Sequence, residues 1–89
     1  MIEKQIEIIN KLGLHARAAA KLVKLVSGFN SQVEIGKDDQ MVNAKSIMGV
    51  MMLAASRGSV MTLRADGEDE QQAIEAVEQL INNRFDEEE

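Results

Sequence analysis

The apolar positions of this chain follow two spacings, and the spacing changes several times along its length. Residues 2–9 alternate apolar and polar side chains, which is typical of a strand with one buried face. Residues 16–27 instead repeat apolar side chains at intervals of three and four, as a helix does, and Gly28 favours the end of that helix. The predicted strands cover 2–9, 32–36, 41–42 and 59–65, and the predicted helices cover 16–27, 47–53 and 70 to about 83.

Turn and capping residues separate these elements. Residues 37–39, Lys-Asp-Asp, predict a hairpin turn, and Ser46 can accept a hydrogen bond from the first turn of the second helix. Asp69, with Gln72 three residues later, resembles a capping box at the start of the third helix. Residues 86–89 are acidic and are predicted to fray beyond the last helix.

The element order is therefore β-α-β-β-α-β-α. Alternating strands indicate a sheet with one solvated face, and three amphipathic helices can cover the other face. We predict an α+β fold with two layers and a mainly antiparallel sheet. Nothing in residues 1–89 marks a linker, so we expect a single domain.

Composition narrows the function classes. The chain has no cysteine, which excludes disulfides, thiol nucleophiles and thiolate metal sites. Only Phe29 and Phe85 are aromatic, so there is almost no platform for stacking a base or a sugar ring. No apolar run is long enough to span a bilayer, and the first residues lack the apolar stretch of a signal peptide. We expect a cytoplasmic protein without membrane insertion.

The net charge of −5 is unevenly distributed. Residues 1–64 hold nine of the ten basic residues and five acidic ones, whereas residues 65–89 hold ten of the fifteen acidic residues. Nucleic-acid binding is not expected, because it needs a dense basic face and this chain is acidic overall. A local basic patch that faces an acidic protein partner remains compatible with the charge pattern.

The sole histidine, His15, directly precedes the first predicted helix. The backbone N–H groups of Ala16, Arg17 and Ala18 lack partners inside that helix, so they form an anion site. The positive end of the helix dipole disfavours an imidazolium ring by about 0.3–1 kcal/mol, and by up to about 2 kcal/mol when partly buried. We therefore predict a neutral ring whose lone pair can attack phosphorus, with Arg17 stabilising the resulting phosphate.

Position alone leaves other roles open for His15. A lone histidine at a helix start is more often a plain cap or an idle surface residue than a nucleophile. A metal site is not expected, because one histidine without cysteine or nearby carboxylates cannot complete a coordination shell. No cofactor is expected either, since the chain has no glycine loop that could cradle a nucleotide.

Two longer strings carry a family resemblance. Residues 13–20, Gly-Leu-His-Ala-Arg-Ala-Ala-Ala, resemble the active-site motif of the HPr family, the histidine phosphocarriers of the bacterial phosphotransferase system. Residues 43–51, Asn-Ala-Lys-Ser-Ile-Met-Gly-Val-Met, resemble the regulatory-serine segment of that family. Length, element order and motif separation also agree, so the resemblance covers essentially the whole chain.

The resemblance implies a four-stranded antiparallel sheet backed by three helices. It also implies that an enzyme I-type, phosphoenolpyruvate-dependent kinase phosphorylates Nδ1 of His15 and that the phosphoryl group passes to an enzyme IIA-type acceptor. The chain would then be a covalent carrier and not a free-standing enzyme. Arg17 would be the anion-stabilising neighbour, and Ser46 the regulatory phosphosite if a cognate serine kinase exists.

Three features depart from the family pattern or point to a branch of it. Ala18 stands where many members have proline, which removes a rigid first turn but keeps an N–H for the anion site. Leu12 stands where some relatives have a small polar residue, so no side-chain oxygen there can touch a phosphate. Ala18, the methionine-rich segment and residues 81–86 resemble the nitrogen-related branch, called NPr, although some sugar-branch proteins share these features.

The second predicted helix is apolar nearly all round. Val50 and Leu53 can face the sheet, which leaves other apolar side chains to point outward. An exposed methionine patch is adaptable and suits a protein that docks on several partners in turn. The predicted docking face consists of Ile47, Met48, Met51, Lys24 and Lys45, beside His15 and Arg17.

Ser46 and the overall function each keep an alternative. Capping alone would account for Ser46, and a phosphate at a helix start is compatible with capping. The alternative to a phosphocarrier is a regulatory module that binds other proteins and is switched by phosphorylation of His15 or Ser46. A generic scaffold or a nucleic-acid binder fits the composition poorly. No feature demands more than a monomer.

Overall fold

Four strands form one antiparallel sheet in the computed structural model, which describes residues 1–37 and 39–87. The predicted element order is confirmed. The elements are β1 (Ile2–Glu7), α1 (Ala16–Val26), β2 (Gln32–Lys37), β3 (Gln40–Asn43), α2 (Ile47–Met52), β4 (Val60–Asp66), α3 (Glu70–Asn82) and a 3-10 turn (Arg84–Asp86).

The strands lie in the order β1-β4-β2-β3, so the first and last strands in sequence pair at one side of the sheet. Ile6 lies opposite Met61, and Ile35 lies opposite Leu63. Val33 and Ile35 of β2 are buried, as the alternation of apolar and polar residues in that strand favours. The α+β fold with an open, four-stranded antiparallel sheet and three helices is confirmed. Strand β1 ends at Glu7, two residues before the predicted limit.

The helices bury the apolar stripes that the sequence predicts. Helix α1 ends one residue before Ser27, and the N–H of Gly28 donates to the carbonyl oxygen of Leu25. Each fully buried Leu, Ile or Val side chain contributes about 1.5–3 kcal/mol relative to exposure. The buried helical residues are Ala18, Ala19, Leu22 and Val26 in α1, Val50 in α2, and Ala73, Ile74, Val77 and Ile81 in α3. Leu80 of α3 lies next to this buried stripe and is half-buried.

The predicted capping box at α3 is wrong. Asp69 is the N-cap residue, but its side chain makes no capping hydrogen bond. Its carboxylate instead accepts hydrogen bonds from the N–H of Asn30 at 2.8 Å and of Ser31 at 2.9 Å, and from the Ser31 hydroxyl. The carboxylate thus ties the start of α3 to the start of β2, because the tertiary fold offers it more donors than its own helix does.

Asp86 and Glu87 belong to the segment predicted to fray, but both have defined positions after α3. The turn at residues 84–86 has left-handed backbone angles, with φ of 56°, 54° and 63°, and Phe85 is fully buried. Glu87 is also described and makes side-chain hydrogen bonds. Residues 88 and 89 lie outside the described residues, as does Asp38 of the predicted 37–39 turn.

No helix in the described part of the chain is both long enough and apolar enough to cross a membrane.

Candidate functional site

His15 is the N-cap residue of α1. Its backbone is extended, with φ −75° and ψ 176°, and its carbonyl oxygen accepts the first helical hydrogen bond, from Ala19 N at 2.8 Å. The side chain does not bond back to the helix as a cap, and it is 26% exposed. The predicted position at a helix start is confirmed, and the imidazole ring reaches solvent.

The loop before His15 is held against the segment after α2. Gly13 has φ +65°, and a Cβ atom there would lie 2.3 Å from the carbonyl oxygen of Ala55. Leu14, which is buried, donates its N–H to the same oxygen at 2.9 Å. A residue without a side chain is therefore required at position 13 for the loop to set His15 at the helix start.

The N–H groups of Ala16, Arg17 and Ala18 make no hydrogen bond to any described residue. The side chain of Arg17 is exposed and has no ion pair or hydrogen bond within residues 1–37 and 39–87. These donors therefore keep their hydrogen-bonding capacity for an anion next to His15, as the sequence predicts.

A carboxylate that the sequence did not indicate contacts His15. Oε2 of Glu87 lies 3.0 Å from Nε2 of His15, and Oε1 accepts a hydrogen bond of 2.8 Å from Nδ2 of Asn10. The hydrogen bond with His15 is the largest cause that holds the pKa of Glu87 below its usual value, and it outweighs burial, which acts in the opposite direction. The expectation that no carboxylate lies near His15 is wrong.

Asn10 fixes the Glu87 carboxylate in place. Its side chain is fully buried, and Nδ2 also donates to the carbonyl oxygen of Gly13 at 2.8 Å. Both N–H bonds of the amide group are used in this way. An asparagine three residues before Gly13 is a turn signal that could have pointed to Asn10, but nothing along the sequence points to Glu87.

A second contact anchors the segment that carries Glu87. Phe85 is fully buried in the main core, and its carbonyl oxygen accepts a hydrogen bond of 2.6 Å from Nζ of Lys21 in α1. The left-handed turn at residues 84–86 ends the right-handed path of α3. These contacts bring Glu87 to the start of α1, which is 72 residues earlier in sequence.

Ser46 caps α2 as predicted. The hydroxyl oxygen of Ser46 accepts a hydrogen bond of 3.2 Å from the N–H of Gly49, and Ser46 is half-buried. This contact is a sufficient structural reason for a serine at this position.

The predicted exposure pattern of α2 is confirmed. Val50 and Leu53 are buried, whereas Met48 is 70% exposed. Lys24 is exposed on α1. Lys45 is half-buried, and its ammonium group donates a hydrogen bond of 2.8 Å to the carbonyl oxygen of Phe29. The exposed large apolar side chains of this region are Ile47, Met48, Met51 and Met52 of α2 and Leu12 of the loop before α1.

Comparison with known proteins identifies the family. The sequence model described as "PTS HPr component phosphorylation site" matches residues 2–83, which is most of the chain. The chain belongs to the HPr family. The phosphocarrier protein HPr of Cupriavidus necator is 58% identical over 85 residues, which are 96% of each chain. The phosphocarrier protein HPr of Xylella fastidiosa strain Temecula1 is 54% identical over 87 residues, 98% of each chain.

Solved HPr structures share the fold. The crystal structure of HPr-C-His from Thermoanaerobacter tengcongensis superposes with a TM-score of 0.96 at 53% identity and covers 100% of both chains. The HPr family match includes His15 and Ser46 but ends at residue 83, before Phe85 and Glu87.

Proposed function

We propose that this chain carries a phosphoryl group on His15 within the phosphotransferase system, accepting it from an enzyme I-type, phosphoenolpyruvate-dependent kinase and passing it to an enzyme IIA-type protein. The observation that carries the proposal is the partly exposed imidazole of His15 at the N-terminus of α1 in an HPr-family chain. The chain acts as a covalent carrier, and its partners supply the donor and acceptor groups.

Three N–H groups and one guanidinium group support the phosphorylated state. A phosphate on His15 places negative charge beside the free N–H groups of Ala16, Arg17 and Ala18, where the helix dipole favours an anion. The exposed guanidinium of Arg17 adds charge-assisted hydrogen bonds. These donors stabilise the phosphorylated form without any metal ion or bound cofactor.

The exposed apolar side chains of α2 form the docking face for the donor and the acceptor. Ile47, Met48 and Met51 present flexible apolar groups to solvent, and such groups adapt to different partners. Two basic residues of this face, the exposed Lys24 and the half-buried Lys45, attract acidic surfaces of those partners. The docking face binds proteins in the cytoplasm and does not bind nucleic acid or insert into a membrane.

Ser46 is proposed as a second phosphorylation site, one that regulates docking. A phosphate there would lie at the N-terminus of α2, where negative charge is tolerated, so the helix would stay folded. The added charge would change the docking face next to Ile47 and weaken binding to acidic partners. Three further statements are predictions from the sequence. They are that a serine kinase acts on Ser46, that the chain is a monomer, and that it belongs to the nitrogen-related branch.

The proposal is tested by incubating the purified chain with phosphoenolpyruvate and an enzyme I. A phosphate that is labile in acid and stable in base should appear, should be absent in His15→Ala, and should remain in Ser46→Ala. Adding enzyme IIA-type proteins of the sugar or the nitrogen branch then shows which acceptor removes the phosphate. No phosphorylation of the unchanged chain, or full phosphorylation of His15→Ala, would contradict the proposal.

A further inference from the structure

The hydrogen bond between His15 and Glu87 determines which ring nitrogen of His15 carries a proton. An ionised carboxylate only accepts hydrogen bonds, so a contact of 3.0 Å with Nε2 requires a proton on Nε2. In a neutral imidazole the other nitrogen, Nδ1, then holds the lone pair. No described residue makes a hydrogen bond with Nδ1. The nitrogen opposite Glu87 is thus the one left free to react.

We propose that Glu87 is a positioning residue for phosphoryl transfer, which holds His15 as the Nε2–H tautomer so that Nδ1 is the nucleophile. This inference rests on the proposed function of His15. Glu87 does not touch the phosphoryl group; it acts through the imidazole ring. The role is comparable to that of any carboxylate that orients a histidine by binding the N–H on the far side of its ring.

The transfer step balances without moving the proton on Nε2. The Nδ1 lone pair forms the new N–P bond, and the electron pair of the broken bond leaves with the donor protein. The ring now carries phosphorus on Nδ1 and hydrogen on Nε2, so it gains positive charge. The Glu87 carboxylate lies on the Nε2 side and compensates that charge. In the reverse sense, the retained Nε2–H lets the ring leave as neutral imidazole when the acceptor takes the phosphoryl group.

The surroundings of Glu87 make it suitable for this role. Its side chain is 19% exposed, and its second oxygen is bound by the buried Asn10. The amide of Asn10 has only one useful orientation, because turning it over would set Oδ1 against both the Gly13 carbonyl oxygen and the carboxylate. A glutamate carboxyl is ionised at neutral pH, and the lowered pKa of Glu87 extends its ionised range toward acid. Lys21 adds a favourable charge and also anchors Phe85, two residues before Glu87.

The proposal is tested first without any partner. The measurement is ¹⁵N NMR of the His15 ring in the full chain, at a pH high enough for the ring to be neutral. The unchanged protein should show mainly the Nε2–H form. Glu87→Ala should raise the ratio of Nδ1–H to Nε2–H by roughly tenfold, the effect expected for losing a hydrogen bond to a charged group. Glu87→Gln, whose amide oxygen still accepts, should lie between the two. Asp86→Asn removes the same charge one residue earlier and should leave the ratio unchanged.

The second measurement is the initial rate of His15 phosphorylation by enzyme I and phosphoenolpyruvate. We expect Glu87→Ala to lower the rate by roughly tenfold or less, Glu87→Gln to restore part of it, and Asp86→Asn to match the unchanged chain. An unchanged tautomer ratio in Glu87→Ala, or an unchanged rate, overturns the positioning role. If even the unchanged chain is not phosphorylated, the proposed function fails. The tautomer ratio measured by NMR then decides by itself whether Glu87 sets the tautomer of His15.

Discussion

The ammonium group of Lys21 donates a hydrogen bond of 2.6 Å to the backbone carbonyl oxygen of Phe85. Lys21 lies in the second turn of α1, and Phe85 lies in the left-handed turn after α3, 64 residues later. The contact gives a hydrogen-bonding partner to a carbonyl group in a turn that has no regular helical geometry. It also holds the segment of residues 85–87 close to the start of α1, where His15 lies.

Replacing Lys21 should weaken the fold modestly. Lys21→Met keeps most of the apolar side chain but removes the donor to Phe85, and we expect a loss of about 1 kcal/mol in the free energy of unfolding. Urea denaturation measures this change. Lys24→Met is the matched control, because Lys24 lies on the same helix and is exposed. Equal stabilities of the two variants would contradict the anchoring role of Lys21.

Gly13 should tolerate alanine poorly. The left-handed backbone costs a residue with a side chain roughly 1–2 kcal/mol, and the new Cβ atom would also collide with the backbone of residues 55 and 56. Gly58 provides a control, because it also has a positive φ, of 90°, but a Cβ atom added there would meet no other part of the chain within 4 Å. Thermal unfolding should show a larger destabilisation for Gly13→Ala than for Gly58→Ala. If the two variants unfold at the same temperature, the close approach at Gly13 does not constrain the loop.

The Asp69 contacts should make stability depend on pH at the acidic end. The hydrogen bond from the Ser31 hydroxyl is the largest cause of the lowered pKa of Asp69, followed by the bond from the N–H of Asn30. A carboxyl group whose pKa is lower when folded stabilises the fold above its unfolded pKa of about 3.9, and this contribution is lost as the pH falls through the folded pKa. The contribution is therefore complete at neutral pH and is lost progressively as the pH falls below about 4.

The measurement is a series of denaturation curves from pH 7 to pH 2. Asp69→Asn should be less stable than the unchanged chain at pH 7, and the difference between the two should shrink as the pH falls below about 4. Glu87 has a lowered pKa as well, but it is present in both proteins and drops out of the comparison. A difference that stays constant across this pH range would show that the charge of Asp69 does not contribute.

Met48 should matter for partner binding and not for folding. Its side chain is 70% exposed, so Met48→Asp removes little buried surface, but it puts a charge in the apolar docking face. We expect slower phosphoryl transfer from the donor kinase while the circular dichroism spectrum stays native. Gln71→Asp adds the same charge at an exposed position of α3 and should leave transfer unchanged. Unchanged transfer kinetics in Met48→Asp would exclude this docking face.

Much of the candidate site could be predicted because its parts are local in sequence. His15 as an N-cap depends on one histidine next to a helical repeat, and Ser46 as a cap depends on a hydroxyl three residues before Gly49. Exposure of Met48 followed from the short length of α2, which cannot turn every side chain inward. Asp69 shows the limit of such local rules, since its carboxylate binds residues 30 and 31 and not its own helix.

The periodicity of apolar residues by itself determined the element order, the inward stripes and the helix start at His15, because each depends on residues a few positions apart. Only the tertiary structure decided that Phe85 enters the core and that Glu87 and Asn10 meet at His15. Those contacts join residues 72 and 77 positions apart and leave no repeat in the sequence. They exist because α3 packs against the sheet and the turn after α3 contacts α1, so that the Glu87 carboxylate lies beside both an imidazole and a buried amide.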